Sequence, residues 1–272
     1  MINGIVNVYK ESGFTSFDVV AKMRGIFHQK KIGHTGTLDP DAQGVLPVCL
    51  GRATKVCDLL TDKDKEYEAV MLLGMTTDTQ DVSGTVLSRQ EVTASEDAVK
   101  TVITSFEGEY MQIPPMYSAL KVNGQKLCDL ARKGIEVERK ARPVTIHKIE
   151  ILEIDLPRVR MKVECSKGTY IRTLCQDIGE KLGCGACMES LLRTRVSEFR
   201  LDGALRLQQI EELVQREDFS FVQSVDSVFM QYDSAQVMEI AKKMVENGNR
   251  IPKEMICNMC QEKEQKCIRL YD

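Results

Sequence analysis

Residues 141–165 read ARPVTIHKIEILEIDLPRVRMKVEC, and the order of polar and apolar residues here gives a clear fold signal. The residues alternate in two runs, PVTIHKIEIL and RVRMKVEC, a pattern that predicts two β-strands. Asp155, Leu156 and Pro157 separate the runs as a turn, so antiparallel pairing is expected. After Gly168, apolar residues at helical spacing predict a helix that ends at Gly183. Strands and helices are therefore mixed in this chain.

Similar patterns predict elements elsewhere in the chain. Short strands are expected at 4–9 and 66–74. The glycines and prolines between 33 and 47 predict an ordered loop without regular structure. Three further helices are expected: one capped by Ser16 with Phe17, Val20, Met23 and Phe27 turned inward, one capped by Ser95, and one carrying Val237, Ile240 and Met244 up to Asn247-Gly248.

The composition is that of an ordinary globular protein. The 272 residues are 43% hydrophobic and 28% charged, which predicts a packed core. The longest apolar runs fall far short of the roughly 20 residues that cross a bilayer. The first residues contain no basic stretch that leads into an apolar segment. We therefore expect a cytoplasmic protein with no membrane partner.

Ten cysteines are scattered through apolar stretches, which indicates buried free thiols rather than disulfides. Two pairs have a spacing found in zinc sites: Cys184 with Cys187, and Cys257 with Cys260. A four-ligand site would have to join regions about 70 residues apart. Incidental thiols are therefore the favoured interpretation, and no metal site is predicted.

Positive charge is concentrated in one part of the chain, although the formal net charge is -3. Residues 110–200 carry 17 basic and 11 acidic side chains, whereas residues 201–272 carry 9 and 13. A basic segment can bind phosphates by releasing their counterions. A solvated basic face has the same composition, so the charge pattern alone leaves both interpretations open.

The loop at 33–47 holds one carboxylate in a restricted position. Asp39 lies between Leu38 and Pro40, and a residue before proline is pushed into an extended conformation. The spacing leaves three interpretations open: an aspartate that caps a turn, a magnesium site shared with Asp41, or a catalytic carboxylate. The sequence contains none of the usual motifs for nucleotide hydrolysis, dinucleotide binding or zinc proteolysis.

Five stretches of the chain carry a family resemblance. Residues 31–55, KIGHTGTLDPDAQGVLPVCLGRATK, resemble the catalytic signature of the bacterial tRNA pseudouridine synthase B family, whose members modify uridine 55 in the T-loop of tRNA. Four more stretches match the family in order: DKEYEAVMLLGMTTDTQDVSG, QIPPMYSALKVNGQKLCDLARKGIEVERKARPVTIH, SKGTYIRTLCQDIGEKLGCGA and SLLRTR. The resemblance covers about residues 1–230. Five motifs in order are far more specific than one short pattern.

The resemblance implies a fold and a division into parts. The expected fold class is α/β mixed (α+β), with a largely antiparallel sheet. Residues 1–230 would form the pseudouridine synthase catalytic domain, with an RNA-gripping insert at about 110–145. Residues 231–272 would form a shortened tail similar to the family's PUA module, docked on the catalytic domain.

The resemblance also implies a catalytic set of three residues. Asp39 matches the aspartate nucleophile, which detaches the uracil from its ribose before the base rotates and is rejoined through carbon 5. Arg172 matches the arginine that pairs with this carboxylate, lowers its pKa and holds it in line. Tyr67 matches the tyrosine that stacks on the flipped uracil, near its exchanging proton.

Further residues match contacts of the family with RNA. Tyr170 and Leu191 match contacts to the base, and His34 resembles the histidine that fills the space left by the flipped nucleotide. Lys10, beside the catalytic loop, is expected to contact the substrate. The insert is expected to contact the RNA backbone through Lys126, Arg132, Lys133, Arg139 and Lys140.

The leading hypothesis is isomerisation of uridine 55 in the tRNA T-loop to pseudouridine, by base flipping and aspartate catalysis. The expected partner is the T-arm and T-loop of tRNA, bound by a monomer, and the expected reaction needs neither a cofactor nor a metal. Two alternatives stay open: a non-catalytic tRNA-folding chaperone, and an RNA-binding protein stabilised by metal at the paired cysteines. Asp39, Tyr67, Tyr170 and Arg172 together favour catalysis, because a binding module has no need for a buried nucleophile.

Overall fold

The computed structural model describes residues 1–257 and 268–271. Its strands are β1 (Gly4–Lys10), β2 (Ile32–His34), β3 (Gln43–Leu50), β4 (Lys65–Leu73), β5 (Met75–Thr77), β6 (Val86–Arg89), β7 (Gly108–Gln112), β8 (Lys121–Val122), β9 (Gln125–Lys126), β10 (Arg142–Asp155), β11 (Arg158–Cys165), β12 (Ala186–Val196), β13 (Phe199–Arg200), β14 (Ser234–Val237), β15 (Ile256–Cys257) and β16 (Arg269–Tyr271). Its α-helices are α1 (Ser16–Ile26), α2 (Cys57–Thr61), α3 (Glu96–Thr104), α4 (Leu127–Ala131), α5 (Ile171–Leu182), α6 (Leu207–Gln215) and α7 (Lys242–Glu246). None of the helices described has the length and apolar surface to span a bilayer.

The described residues build a nine-stranded sheet in the order β1-β3-β12-β4-β11-β10-β7, with β2 paired to β3 and β13 to β12. Its pairings are antiparallel except for the parallel contact of β3 with β12, which joins Gln43 to Leu192 and Gly44 to Arg193. The predicted mixed fold with a largely antiparallel sheet is confirmed. Through the parallel contact, the strand that follows the Asp39 loop lies beside β12.

Two apolar clusters fix helices on this sheet. In one, α3 and α5 pack on β4, β10, β11 and β12 through residues such as Met71, Met161 and Ile178. In the other, α1 and α6 pack on β1 and β3 through residues such as Val8 and Met23. The packing of α5 holds its first turn at the centre of the sheet, where Arg172 projects.

A long excursion leaves the edge of the sheet between β7 and β10. The register of these two strands pairs Gln112 with Arg142, so the chain departs and returns at one pair of partners. Residues 113–141 contain the short β8–β9 hairpin and α4. The predicted insert, at about 110–145, spans this excursion.

The start of the first helix differs from the prediction. Thr15, rather than Ser16, is the N-cap residue, because its side chain and that of Asp18 form a capping box. Ser16 is the first helical residue, and its hydroxyl accepts a hydrogen bond from the Leu38 amide at 2.9 Å. The inward position predicted for Phe17 is wrong, since Phe17 is 67% exposed; the other three predicted positions are buried.

The prediction of a loop throughout 33–47 is wrong at both ends. Gly33 and His34 belong to β2, and β3 begins at Gln43 and includes Pro47. β3 pairs with β1 along its length, and this long-range pairing outweighs the poor strand preference of glycine and proline. Residues 35–42 lie outside the strands, and they carry Asp39.

The helix predicted around Val237 is wrong in its first half. Val237 lies in β14 and pairs with Ile256 of β15, a contact that local periodicity does not reveal. Ile240 is 76% exposed. The α-helical part is α7, which ends just before Asn247-Gly248 as predicted.

Contacts join the tail to the preceding chain. The Lys63 ammonium donates to the Tyr232 hydroxyl at 3.1 Å. The Arg269 guanidinium donates to the Asp226 carboxylate at 3.1 Å. The PUA-like character of residues 231–272 stays a prediction.

The described cysteines are free thiols, and five of them are buried: Cys49, Cys165, Cys175, Cys184 and Cys187. The predicted free thiols are confirmed for this part of the chain. Over residues 1–257 and 268–271, no group of three or more His, Cys, Asp or Glu side chains is arranged to hold a metal ion. Cys260, one of the possible zinc ligands considered above, lies outside the described residues.

Candidate active site

A cavity of about 1400 Å³ lies where the Asp39 loop, β4, β12 and the first turn of α5 meet. The β5–β6 loop and the start of the insert complete its wall. This space is large enough for a nucleobase and its flanking chain. The predicted site residues that line it are Asp39, Tyr67, Arg132, Tyr170, Arg172 and Leu191.

Asp39 is held by contacts on both sides of it in the chain. The Ser16 hydroxyl accepts a hydrogen bond from the backbone N–H of Leu38, the residue just before Asp39, at 2.9 Å. The Lys10 ammonium donates to the carbonyls of Pro40 at 2.8 Å and Ala42 at 2.5 Å. The loop is therefore tied to α1 and to β1, which fixes the position of the carboxylate.

Lys10 lies beneath the loop. It is fully buried, and burial lowers the pKa of Lys10 to about 8, opposed by the carboxylates of Asp39 and Asp41. Main-chain carbonyls accept its hydrogen bonds. In this position Lys10 supports the loop, and its direct contact with a substrate stays a prediction.

Arg172 joins the Asp39 loop to two other parts of the cavity wall. Its Nε lies 2.9 Å from Oδ2 of Asp39, and one terminal nitrogen lies 3.2 Å from Oδ1, which is a bidentate contact. The guanidinium also donates to the carbonyls of Thr79 at 2.7 Å and Tyr117 at 2.9 Å. A second carboxylate, Asp81, lies 3.6 Å from it. The side chain is 5% exposed, and each of its three nitrogens has a partner within hydrogen-bond distance.

The charge of Asp39 depends on opposing effects. Burial raises the pKa of Asp39 above its ordinary value, the Arg172 guanidinium lowers it, and the Asp81 carboxylate raises it again. The side chain keeps 39% of its surface accessible on the cavity side, so solvent moderates the effect of burial. The predicted lowering by Arg172 is thus one part of the balance, and the net direction is upward.

Tyrosine and leucine side chains form the wall near Asp39. Tyr67, on β4, is 9% exposed, and burial raises the pKa of Tyr67, so it keeps its proton near neutral pH. Tyr170 is the N-cap residue of α5. The Gln112 carboxamide donates to the Tyr170 carbonyl at 3.0 Å and accepts from the Tyr170 amide at 2.8 Å. Leu191 lies on β12, two strand positions before Arg193. Together they offer aromatic and apolar faces to a flat ring.

His34 lies at the end of β2, two residues before Gly36, where the cavity wall begins. It is half-buried, and burial together with the nearby Arg193 guanidinium lowers the pKa of His34. A neutral imidazole is therefore expected near pH 7. The structure brings His34 close to the site without placing it in the cavity wall.

The predicted basic residues of the insert differ in exposure. Arg139 is half-buried and donates to the Pro114 carbonyl at 3.1 Å, so it stabilises the insert itself. The guanidinium of Arg132 pairs with Asp129 at 3.4 Å, and Arg132 reaches the cavity rim. The exposed members of the set are Lys126, Arg132, Lys133 and Lys140.

Sequence reasoning missed several polar residues of the site. Asp81 lies in the polar run TDTQDVSG. The spacing of Asp and Ser in this run indicates a structured turn, and this pattern could have pointed to Asp81. Lys65 and Arg193 are buried cations in strands, and nothing in their local sequence distinguishes them from exposed strand residues. Gln112 gave no signal either, since its role depends on a contact 58 residues away.

Comparison with known families agrees with this geometry. Residues 24–171 match the TruB family pseudouridylate synthase (N terminal domain), and residues 172–235 match the tRNA pseudouridylate synthase B C-terminal domain. The class defined by these matches is pseudouridylate synthase. A protein of Lachnoclostridium phytofermentans named tRNA pseudouridine synthase B is 58% identical over 259 residues, which cover 92% of this chain and 84% of that protein. The chain therefore belongs to the TruB family, and the predicted family is confirmed.

Other relatives give the same result. A protein of Clostridium tetani with the same name is 44% identical over 272 residues, covering 99% of this chain and 92% of its own. Among solved structures, a Cbf5-Nop10-Gar1 complex matches with a TM-score of 0.74 and 30% identity, over 93% of this chain and 70% of that chain. An H/ACA RNP bound to a substrate RNA containing 2'-deoxyuridine matches with a TM-score of 0.71 and 28% identity, over 93% and 69%.

Proposed function

We propose that this protein converts uridine 55 in the T-loop of tRNA to pseudouridine. The observation that carries the proposal is the Asp39 carboxylate, held by a bidentate contact from Arg172 at a cavity that Tyr67 also lines. Membership in the TruB family supports pseudouridine chemistry, and the names of the relatives support a tRNA substrate. The alternative of a non-catalytic tRNA chaperone is not favoured by these names.

The chemistry conserves every atom of the substrate except for proton exchange. The N1–C1′ bond of uridine breaks, the uracil rotates, a C5–C1′ bond forms, and C5 loses a proton while N1 gains one. Because uridine and pseudouridine are isomers, the reaction consumes no co-reactant. Asp39 acts as the nucleophile, which requires the ionised carboxylate. Arg172 opposes the effect of burial on this carboxylate and aims it at the cavity.

The wall of the cavity would receive the flipped uracil. Taking a base out of its stack costs a few kcal/mol. Stacking on an aromatic side chain returns about 1–3 kcal/mol per base, which is the role proposed for Tyr67 and Tyr170. Leu191 adds an apolar contact, and His34 occupies the gap that the nucleotide leaves in the RNA.

The remaining parts of the proposal concern RNA binding and organisation. The exposed cations of the insert, Lys126, Arg132, Lys133 and Lys140, hold phosphates of the T-arm. Catalysis belongs to residues 1–230, with residues 231–272 as a PUA-like tail. The protein acts on tRNA as a monomer in the cytoplasm.

Mapping of modified uridines tests the proposal directly. The purified protein is incubated with unmodified tRNA transcripts, and pseudouridine is located at single-nucleotide resolution. We expect modification at position 55 and none in a transcript that carries cytidine there. Asp39→Asn preserves the shape of the side chain and removes its nucleophilicity, so this variant should bind tRNA with parent affinity and make no pseudouridine.

Three outcomes would contradict parts of the proposal. Modification at uridines outside the T-loop would overturn the assigned position. Turnover by the asparagine variant near the parent rate would remove Asp39 as the nucleophile. Refolding of misfolded tRNA by a parent protein that makes no pseudouridine would restore the chaperone alternative.

A further inference from the structure

Arg193, on β12, is a buried cation close to the Asp39 loop. It is 1% exposed and has the largest of the almost fully buried side chains of the described residues. Among the described residues, no carboxylate forms an ion pair with Arg193. A guanidinium buried without a counter-ion is unfavourable unless polar atoms surround it, so its hydrogen-bond partners indicate what it holds.

Two of these partners lie on opposite sides of the Asp39 loop. Nε donates to the Val45 carbonyl at 2.7 Å, and a terminal nitrogen donates to the Gly36 carbonyl at 3.2 Å. The main chains of Gly44 and Arg193 also pack closely. A Cβ atom added to Gly44 would lie 2.2 Å from the Arg193 carbonyl oxygen. One guanidinium therefore fixes the beginning and the end of the loop that carries Asp39.

Tyr67 is the cross-strand neighbour of Arg193. Arg193 and Tyr67 are directly opposite each other on the antiparallel strands β12 and β4, so their side chains share one face of the sheet. Both line the cavity, and the Arg193 guanidinium opposes the effect of burial on the pKa of the Tyr67 hydroxyl. An arginine only donates hydrogen bonds, so in a hydrogen bond between the two side chains the Tyr67 oxygen is the acceptor. The O–H of Tyr67 is then free to donate in another direction.

We propose that Arg193 is a positioning residue that holds the Tyr67 hydroxyl and turns its O–H into the cavity, toward the bound base. This inference rests on the proposed function, because it needs a uracil beside Tyr67. It gives the hydroxyl of Tyr67 a part in turnover, in addition to the stacking role of the ring. Arg193 itself does not touch the reacting atoms.

A double-mutant cycle tests this inference. Tyr67→Phe keeps the ring and removes the hydroxyl, and Arg193→Gln removes the charged donor. With enzyme in excess over tRNA, R193Q should lower the single-turnover rate about 10- to 100-fold, the range for one hydrogen bond from a charged donor. The dissociation constant for tRNA should stay within about twofold. In the Y67F background, R193Q should lower the rate by a smaller factor than in the parent, because the part of the loss that acts through the Tyr67 hydroxyl is already gone and only the part through the Val45 and Gly36 contacts remains.

Two further variants make the cycle decisive. Arg195→Gln is the matched control: Arg195 lies on the same strand and pairs with Glu164 at 2.6 Å, outside the cavity wall, and its replacement should leave the single-turnover rate unchanged. Arg193→Lys keeps one charged donor and should restore part of the rate. Thermal unfolding checks the fold of each variant. If R193Q does not fold, the double-mutant cycle is measured with R193K and Y67F instead.

The possible outcomes separate this inference from the proposed function. Non-additive losses in the cycle, with unchanged tRNA affinity, support it. Equal losses from the Arg193 change in both backgrounds overturn it, while pseudouridine formation by the parent stands. A parent protein that makes no pseudouridine overturns the proposed function and this inference together.

Discussion

Replacing Arg172 with lysine tests whether geometry, in addition to charge, is needed at Asp39. The guanidinium contacts both oxygens of Asp39 and donates to the carbonyls of Thr79 and Tyr117. A lysine ammonium keeps the positive charge, but its single nitrogen cannot reach all of these acceptors. Two lost hydrogen bonds from a charged donor, at about 1.5 kcal/mol each, give about 3 kcal/mol. At about 1.4 kcal/mol per factor of ten, the expected fall in turnover is about 100-fold.

The assay is single-turnover pseudouridine formation with enzyme in excess, so that tRNA binding does not limit the rate. Arg172→Met is measured in parallel because it also removes the charge. Loss of a cation beside a carboxylate raises the pKa of Asp39, and the protonated acid is not a nucleophile. The acid limb of the pH–rate profile should therefore move to higher pH in R172M, with a larger loss at pH 6 than at pH 8.

Arg160→Lys serves as the control for this experiment, because Arg160 pairs with Glu68 at 3.4 Å and is 48% exposed. It should leave the single-turnover rate unchanged. If the lysine variant of Arg172 stays within twofold of the parent, charge alone is sufficient and the geometric argument is refuted. If the acid limb of R172M does not move, the ion pair does not control the protonation of Asp39.

Two more predictions concern RNA binding and loop support. Replacing both Lys133 and Lys140 with alanine should weaken tRNA binding and reduce the slope of log K against log salt by about 1.4–1.8, since each phosphate contact contributes about 0.7–0.9. Filter binding across a salt series measures this slope, and an unchanged slope would exclude both side chains from the interface. Ser16→Ala should leave the Leu38 amide without a partner, lowering the free energy of unfolding by about 1–3 kcal/mol and slowing turnover. Thr15→Ala should cost about 1 kcal/mol through loss of the helix cap and leave turnover unchanged; equal rates for the two variants would contradict the proposed support of the loop by Ser16.

Elements whose signal is local could be predicted from the sequence. The β10–β11 hairpin was visible because polar alternation and the turn at Asp155-Leu156-Pro157 coincide. Helix α5 was visible because its apolar spacing ends at Gly183, which adopts the left-handed conformation expected there. Elements that depend on distant partners were missed, as in β3, where pairing with β1 overrides a proline, and in β14.

The candidate site follows the same division. The family resemblance pointed to Asp39, Tyr67 and Arg172, and the fold brings all three to one cavity. Arg193 and Asp81 were not predicted, because their roles arise only when β12 and the β5–β6 loop are folded against the Asp39 loop. A buried arginine in a strand has the same local sequence pattern as an exposed one, so no periodicity distinguishes them.

The insert leaves and rejoins the sheet at the pair Gln112 and Arg142, and this arrangement has a consequence for the evolution of the molecule. A segment with neighbouring end points can gain or lose residues without shifting the strands that anchor it, and the entropy of closing it rises only slowly with length. Natural variation can therefore change the length of this excursion while the strands that carry the cavity wall keep their register. The exception is Tyr117, whose carbonyl accepts a hydrogen bond from Arg172, so changes in length are tolerated best in the part of 113–141 that lies away from the cavity wall.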